Sequence, residues 1–306
     1  MDETIKQQIA DHWSNKGKDQ TGAALRLRWW QSPFIIRHIN LRVCGQVLDG
    51  FSQGLIVRAK QILDGRTPLR NGISVGCGTG SKELTLLKQG LVETFDLFEF
   101  SEDRIAKGTA EAARMGLSER VRFVQGDAFE LVSAAEQYDL VHWNNSLHHM
   151  FDVDKAVAWS RQVLTHGGLF YMDDFVGPTR FQWSDLALNI ASHVRLLLDK
   201  QFLENPRKPG TYLPTDILRP NADTLKAADP SEAADSGRII ESVRRHFPTA
   251  EVVATGGVVY HLAMADILHN FDEKRDHAIL ELLMFIDDLC ADLIETHYAT
   301  ALALKY

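Results

Sequence analysis

Apolar and polar residues alternate in blocks from residue 72 onward, and these blocks predict strands and helices in turn. Short apolar runs, typical of strands that are buried on both faces, lie at GISVG (72–76), TFDLFEF (94–100), VRFVQGD (121–127), YDLVHWNN (138–145) and GGLFYMDDF (167–175). Segments that predict helices separate them at 81–90, 101–117, 128–137 and 152–164. Strands that alternate with helices at this spacing predict a doubly wound, parallel α/β sheet.

The pattern differs on either side of this block. Residues 1–67 carry apolar residues at mixed three- and four-residue spacing, which predicts an N-terminal helical cap. The remainder, 68–306, is expected to form one domain, within which the turn-rich segment 177–235 is an insertion after the fifth strand and a candidate lid. Further elements are predicted at the end of the chain and in the insertion: helices at 183–203, 237–247 and 277–297, and strands at 250–257 and 299–306.

Composition narrows the functional classes. The net charge of −8 argues against a nucleic-acid partner or an anionic membrane surface. Three cysteines without a CxxC pair predict neither a disulfide framework nor a cysteine zinc site. The N-terminus lacks an apolar signal core, and no apolar run reaches the roughly 20 residues of a membrane span. We therefore expect a soluble, cytoplasmic protein; the oligomeric state stays open.

Glycines mark the first strand-to-helix turn. Gly76, Gly78 and Gly80 lie where the backbone turns sharply and approaches a ligand, although a tight turn alone would also explain them. Ser81 stands where a GxGxxG dinucleotide fingerprint has its third glycine, which disfavours an NAD-type oxidoreductase. Glu99 ends the second strand roughly 20 residues later, where a nucleotide site places a carboxylate for ribose hydroxyls.

Five stretches together resemble the class I S-adenosylmethionine (SAM)-dependent methyltransferases: VGCGTG (75–80), Glu99, GDAF (126–129), YDLVHWNNSLHH (138–149) and VLTHGGLFYMDDF (163–175). The resemblance implies a Rossmann-like methyltransferase sheet with an antiparallel last strand, and SAM as cofactor. It implies that the cofactor is bound by Gly76, Cys77, Gly78, Gly80, Glu99, Phe100, Asp127, Ala128, Phe129 and Asn144. Glu99 would hold the ribose, Asp127 would contact the adenine amino group with Ala128 and Phe129 beside the ring, and Asn144 would border the methionine end.

The histidines of HWNNSLHHM (142–150) follow the fourth strand, at the edge where an acceptor should bind. His148 is a candidate general base for a hydroxyl acceptor, and both histidines could instead be structural. His149 and Asp173 complete the catalytic candidates. Some members of the family carry an E-x-x-E/D-H metal pattern here. Asn145 replaces the first carboxylate and His148 the second, so we expect no metal, with a softer metal bound through the histidines as the alternative.

The leading hypothesis is methyl transfer from SAM to a small molecule, through O-methylation of a sugar-like or secondary-metabolite hydroxyl. A more remote resemblance of RWWQSPFIIRHIN and DDFVGPTRFQW to bacterial methyltransferases of glycan or natural-product modification implies such an acceptor. The alternatives are N- or C-methylation, and a SAM-binding regulatory or assembly protein without methyl transfer. Candidate acceptor contacts, for each of which ordinary packing is the competing explanation, are Trp29, Trp30, Arg180, Trp183, Tyr212 and His261.

Overall fold

A seven-stranded mixed sheet organises the chain in the computed structural model, which describes residues 3–15 and 27–306. The strands are β1 (Leu69–Val75), β2 (Val92–Glu99), β3 (Val121–Gln125), β4 (Tyr138–Asn144), β5 (Leu164–Phe175), β6 (Glu251–Gly256) and β7 (Tyr298–Leu304). Their order across the sheet is β3-β2-β1-β4-β5-β7-β6. The first five pair in parallel, and β7 runs antiparallel to both β5 and β6. The predicted fold class and antiparallel last strand are confirmed.

Helices flank the sheet and form a further layer at its carboxyl-end edge. They are α1 (Glu3–Asn15), α2 (Pro33–Cys44), α3 (Gln53–Leu63), α4 (Ser81–Lys88), α5 (Glu102–Arg114), α6 (Ala128–Leu131), α7 (Val153–Val163), α8 (Asp185–Leu197), α9 (Ala222–Ala228), α10 (Ile239–His246) and α11 (His277–Leu293). Local sequence explains several boundaries. Ser32 caps the N-terminus of α2 by accepting a hydrogen bond from the backbone N–H of Ile35, and Gly45 ends this helix in a left-handed conformation.

Both faces of the sheet are covered, which is why its central strands read as continuous apolar runs. On one face, β4 and β5 pack against α7 and α10, where the rings of Phe170 and Phe247 stack 4.7 Å apart. On the other face, α3 and α4 bury residues such as Leu63 and Leu87 against β1 and β2. The strand order reverses between β1 and β4, and open α/β sheets bind ligands at that point.

The additional layer combines segments that are distant in sequence. α2, α8, α11 and the π-helical segment Val258–Ala263 bury a common apolar cluster that includes Ile35, Ala191 and Met284. The sequence analysis missed the π-helical segment and extended several helices too far, among them the one predicted at 277–297, which ends at Leu293. The helix predicted at 183–203 ends at Leu197 because Leu198 is extended, and the helix predicted at 128–137 ends at Leu131.

Candidate active site

The glycine loop leaves β1 in left-handed conformations. Gly76, Gly78 and Gly80 have φ angles of 67°, 60° and 69°, which favour glycine. A Cβ atom on Gly76 would lie 3.2 Å from the Cβ atom of Ser146, so this glycine lets the loop approach the turn after β4. A Cβ atom on Gly80 would lie 2.9 Å from Leu97, so the third glycine lets α4 pack on β2.

Backbone amides hold the Glu99 carboxylate in one orientation. Its Oε1 atom accepts hydrogen bonds from the backbone N–H groups of Phe100 (2.9 Å) and Ser101 (3.0 Å). Its Oε2 atom accepts one from the backbone N–H of Gly78 (2.8 Å), which ties the carboxylate to the glycine loop. A carboxylate oxygen can accept two hydrogen bonds, so Oε2 retains capacity for a ligand hydroxyl.

Asp127 begins the short helix α6 at the end of β3. Its Oδ1 atom accepts a hydrogen bond from the backbone N–H of Phe129 (3.0 Å). Its Oδ2 atom lies 3.8 Å from Nζ of Lys6, which also donates to Oε1 of Glu130 at 2.7 Å. Asp127 thus joins the end of the sheet to helix α1.

A cavity of about 100 Å³ lies above these strand ends, and we call it the glycine-loop cavity. The predicted cofactor residues that line it are Gly76, Glu99, Phe100, Asp127, Ala128 and Phe129. The predicted residues outside its lining are Cys77, Gly78, Gly80 and Asn144. Asn145 lines the cavity in place of its neighbour Asn144, with which it shares a side-chain hydrogen bond of 3.1 Å.

Helix α1 covers the glycine-loop cavity. Ile9 and Trp13 contribute side chains to its wall. The indole of Trp13 lies between two partners, with the guanidinium of Arg104 4.2 Å from its centroid and the ring of His149 5.3 Å away. Trp13 therefore closes the cavity on the side that faces the histidines.

A second cavity of about 360 Å³, which we call the aromatic cavity, adjoins the first. The two cavities share Trp13, Asn145 and His149. Most of the further lining is aromatic and comprises Trp29, Trp30, Phe51, Phe175, Phe181 and Tyr298. Lys82 also lines it, and burial lowers the pKa of this lysine to about 8. The aromatic cavity therefore offers flat apolar surfaces and one amine.

His148 is buried between two carboxylates. Its Nδ1 atom lies 2.6 Å from Oδ1 of Asp174, and its Nε2 atom lies 3.6 Å from Oε1 of Glu232. Burial opposes a charge on the imidazole, but Asp174 and Glu232 outweigh it and raise the pKa of His148 to about 9. His148 therefore carries a proton at neutral pH in this arrangement.

His149 has the opposite electrostatic environment. Burial and the adjacent charge on His148 lower the pKa of His149. Its Nδ1 atom lies 3.1 Å from Oγ of Ser231, and its ring centroid lies 4.1 Å from that of His148. The two histidines thus face the cavities as one protonated and one neutral imidazole.

The two aspartates at the end of β5 point to opposite faces of the sheet, as successive strand residues do. Asp174, which is fully buried, pairs with His148. Asp173, which the sequence analysis placed among the catalytic candidates, instead accepts a hydrogen bond from Ser52 and lines neither cavity. Burial raises the pKa of Asp173.

The candidate acceptor contacts separate into two groups. Trp29 and Trp30 line the aromatic cavity, whereas the other four candidates lie outside its lining. Trp183 stacks on His297 with ring centroids 4.4 Å apart, and the ring centroid of His261 lies 5.2 Å from that of Tyr298. The remaining two make other contacts: Tyr212 packs under Lys200, and Arg180 donates to backbone carbonyls of the insertion.

Sequence reasoning missed several residues that line the two cavities. Most of them come from segments remote from the carboxyl ends of the parallel strands. The missed residues are Trp13, Phe51, Lys82, Ser231, Glu232 and Tyr298. Trp13 belongs to an amphipathic segment and Lys82 follows the glycine loop, so both had a local signal. Glu232 lies in a turn-rich stretch whose pattern carries no information about its contacts.

Comparison with known proteins relates this chain to methyltransferases. Residues 70–213 match a family model described as a methyltransferase domain. A 27-O-demethylrifamycin SV methyltransferase from Amycolatopsis mediterranei is 30% identical over 117 residues, which are 37% of this chain and 43% of the relative. A demethylmenaquinone methyltransferase from Bacteroides fragilis is 24% identical over 170 residues, 55% of this chain and 65% of the relative. The chain thus spans less than two thirds of either relative.

Solved structures with a similar fold cover nearly the whole chain. Geranyl diphosphate C-methyltransferase from Streptomyces coelicolor A3(2) has a TM-score of 0.53 at 10% identity and covers 99% of this chain and 98% of its own. The [4+2]-cyclase SpnF has a TM-score of 0.50 at 17% identity, with coverage of 98% and 96%. The fold is that of class I methyltransferases, and the domain match confirms SAM as the predicted cofactor. Because the fold also occurs in a cyclase, the reaction must be inferred from the site.

Within the described parts of the chain, no helix combines the length and the apolar character needed to cross a bilayer.

Proposed function

We propose that this protein transfers a methyl group from SAM to a small molecule, with SAM in the glycine-loop cavity and the acceptor in the aromatic cavity. The observation that carries the proposal is the wall that the two cavities share, formed by Trp13, Asn145 and His149. Methyl transfer requires two bound molecules whose reacting atoms are close and in line. Two adjoining cavities at the carboxyl ends of parallel strands provide this arrangement.

The residues of the glycine-loop cavity suit the parts of SAM. Glu99 has its Oε1 atom saturated by two amides and its Oε2 atom bonded to one, so Oε2 can accept a hydrogen bond from a ribose hydroxyl. Asp127 would face the adenine amino group, with Ala128 and Phe129 beside the ring. Asn145, which lines the cavity, would border the methionine end.

The chain then has to hold the acceptor and exclude water. When bound, SAM supplies an electrophilic methyl carbon: the acceptor atom bonds to it as the carbon–sulfur bond breaks, and the electron pair stays on sulfur. Helix α1 covers the glycine-loop cavity through Ile9 and Trp13, which limits access of water. A hydroxyl acceptor also loses a proton, and His148 and His149 are the imidazoles beside it. The sequence prediction that His148 is the base remains a prediction, and its raised pKa means that His148 would have to lose its own proton before it could accept one from the acceptor.

The aromatic cavity favours a ring-containing secondary metabolite over a free sugar. Six aromatic side chains beyond the shared wall line it, and such faces bind flat apolar groups through stacking. Lys82 would attract a phenolate or another anionic group on the acceptor. The names of the relatives refer to a demethylrifamycin and to demethylmenaquinone, which also contain rings. O-methylation of a ring hydroxyl is the reaction we propose, and C- or N-methylation of the same acceptors is the alternative.

The test combines binding and transfer. Calorimetric titration of the protein with SAM and with S-adenosylhomocysteine measures the first part, and methyl-labelled SAM with a panel of phenols, quinols and aliphatic alcohols measures the second. We expect saturable binding of both cofactor forms and label transfer to a ring hydroxyl. Failure to bind SAM would overturn the whole proposal. Binding without transfer to any acceptor would instead favour a protein that uses SAM structurally.

A further inference from the structure

We propose that His148, His149 and Glu232 form a divalent-cation site beside the acceptor. Their ligand atoms lie within 4.8 Å of one another, and across residues 3–15 and 27–306 no other group of three such side chains meets this condition. Nε2 of His148 lies 3.6 Å from Oε1 of Glu232. Ligands about 2.1 Å from a tetrahedral ion are about 3.4 Å apart, so small side-chain movements would complete the coordination.

Hydrogen bonds orient both imidazoles for metal binding. His148 has its Nδ1 atom 2.6 Å from Asp174, which leaves Nε2 directed toward Glu232, and an ion would replace the proton on Nε2. Ser231 donates its hydroxyl proton to Oδ1 of Asp229 at 2.6 Å, so its Oγ atom accepts the hydrogen bond from Nδ1 of His149. The lone pair of His149 is therefore on Nε2. Metal-binding histidines usually have this second hydrogen bond to a carboxylate or another oxygen, which fixes the tautomer.

The segment that carries the carboxylate is fixed against the histidine turn. Arg180 donates to the backbone carbonyls of Pro230 (2.6 Å) and Glu232 (2.8 Å). The backbone N–H of Ala234 donates to the carbonyl oxygen of His148 at 3.1 Å. The carboxylate therefore reaches the histidines from a folded segment with several anchors.

Glu232 supplies the carboxylate whose absence led the sequence analysis to expect no metal. Position 145 is asparagine, where the metal-binding pattern has its first carboxylate. The fold supplies one from residue 232. Two imidazoles and one carboxylate suit Zn²⁺, Mn²⁺, Co²⁺ or Fe²⁺ and are a poor set for Ca²⁺ or Mg²⁺, which prefer oxygen ligands.

The location of the site indicates what the ion would contact. All three ligands line the aromatic cavity, where the proposed function places the acceptor, and this part of the inference rests on that function. Three protein ligands leave at least one coordination position open. An acceptor hydroxyl at that position would bind the ion through oxygen, and its pKa would fall. The proposed acceptor is therefore a hydroxyl compound. An acceptor that carries a second oxygen atom next to this hydroxyl would be favoured, because both oxygens could contact the ion.

Metal titration of the tag-free, chelator-treated protein tests the site without any turnover. Calorimetry with Zn²⁺ and Mn²⁺ should detect one high-affinity ion per chain, and Co²⁺ should give a visible absorption spectrum of low coordination number. Glu232→Gln and His149→Gln should each weaken binding about 10–100-fold or more, since even residues that only orient a ligand have effects of this size. His277→Gln with Glu281→Gln is the matched control, because this exposed His–Glu pair on α11 lacks a third ligand.

Circular dichroism and thermal denaturation of the same samples confirm that each variant is folded, and SAM affinity is measured on the wild-type protein. Wild-type protein that binds SAM but none of these ions would overturn the inference and leave the proposed function intact. Equal metal affinity in the wild type and in both ligand variants would also overturn it. Metal binding by a protein that does not bind SAM would remove the proposed function and leave the cation site standing.

Discussion

Asp174 fixes the turn that carries both histidines, and Asp174→Ala is expected to destabilise the fold strongly. The carboxylate is fully buried. It accepts hydrogen bonds from the backbone N–H groups of Ser146 (2.8 Å) and Leu147 (2.9 Å), and it pairs with Nδ1 of His148 at 2.6 Å. Hydrogen bonds to a charged group contribute about 1.5–3 kcal/mol each, and breaking a buried pair costs about 3–5 kcal/mol. We therefore expect a loss of about 3–5 kcal/mol in the free energy of unfolding.

Urea denaturation followed by tryptophan fluorescence and circular dichroism measures this loss, and the adjacent residue provides the control. Asp173 is also buried, but burial raises its pKa, so its ionised form is less favourable than that of an exposed aspartate. Asp173→Asn keeps a hydrogen-bond acceptor for Ser52 and should change stability by less than about 1 kcal/mol. A loss below about 1 kcal/mol for Asp174→Ala, or equal losses for both variants, would refute the reasoning.

Three further predictions concern the cavities. Glu99→Ala should weaken SAM binding by about 1–3 kcal/mol in calorimetry, whereas Glu93→Ala, an exposed position on the same strand, should leave it unchanged; equal affinities would remove the ribose assignment. Trp13→Ala should weaken SAM binding by about 1 kcal/mol because α1 loses its ring contact with Arg104, and Trp13→Phe should restore most of it; no effect would contradict a covering role for α1. His148→Ala should lower turnover of a hydroxyl acceptor about 10–100-fold or more, because it removes a proposed cation ligand, and a fully active variant would exclude His148 from the reaction.

The sheet and part of the lining of the glycine-loop cavity were predictable because the sequence patterns that indicate them are local. Apolar runs that are buried on both faces mark β1 to β5, and a glycine loop with positive φ angles follows the first of them. Glu99 and Asp127 end consecutive strands, and neighbouring parallel strands bring such residues to one edge. The cavity that contains both follows from the order of the elements.

The acceptor side was less predictable because its residues depend on tertiary contacts. Asp173 and Asp174 end a strand that is buried on both faces, so the apolar pattern does not reveal which of them faces His148. The sequence likewise did not show whether Asn144 or Asn145 lines the glycine-loop cavity. Asn145 has a φ of 50°, a left-handed conformation that turns the chain after β4. Glu232 reaches the histidines only because Arg180 and neighbouring backbone groups anchor its segment. No periodic pattern encodes these contacts.

Titration of the wild-type protein with SAM, with NADH as the competing cofactor, tests the central claim most directly. The account predicts one saturable SAM site per chain, inhibition of that binding by S-adenosylhomocysteine, and no heat of binding from NADH. Glu99 and the glycine loop would be the contacts responsible. Binding of NADH at this site, or no binding of SAM by folded protein, would contradict the account.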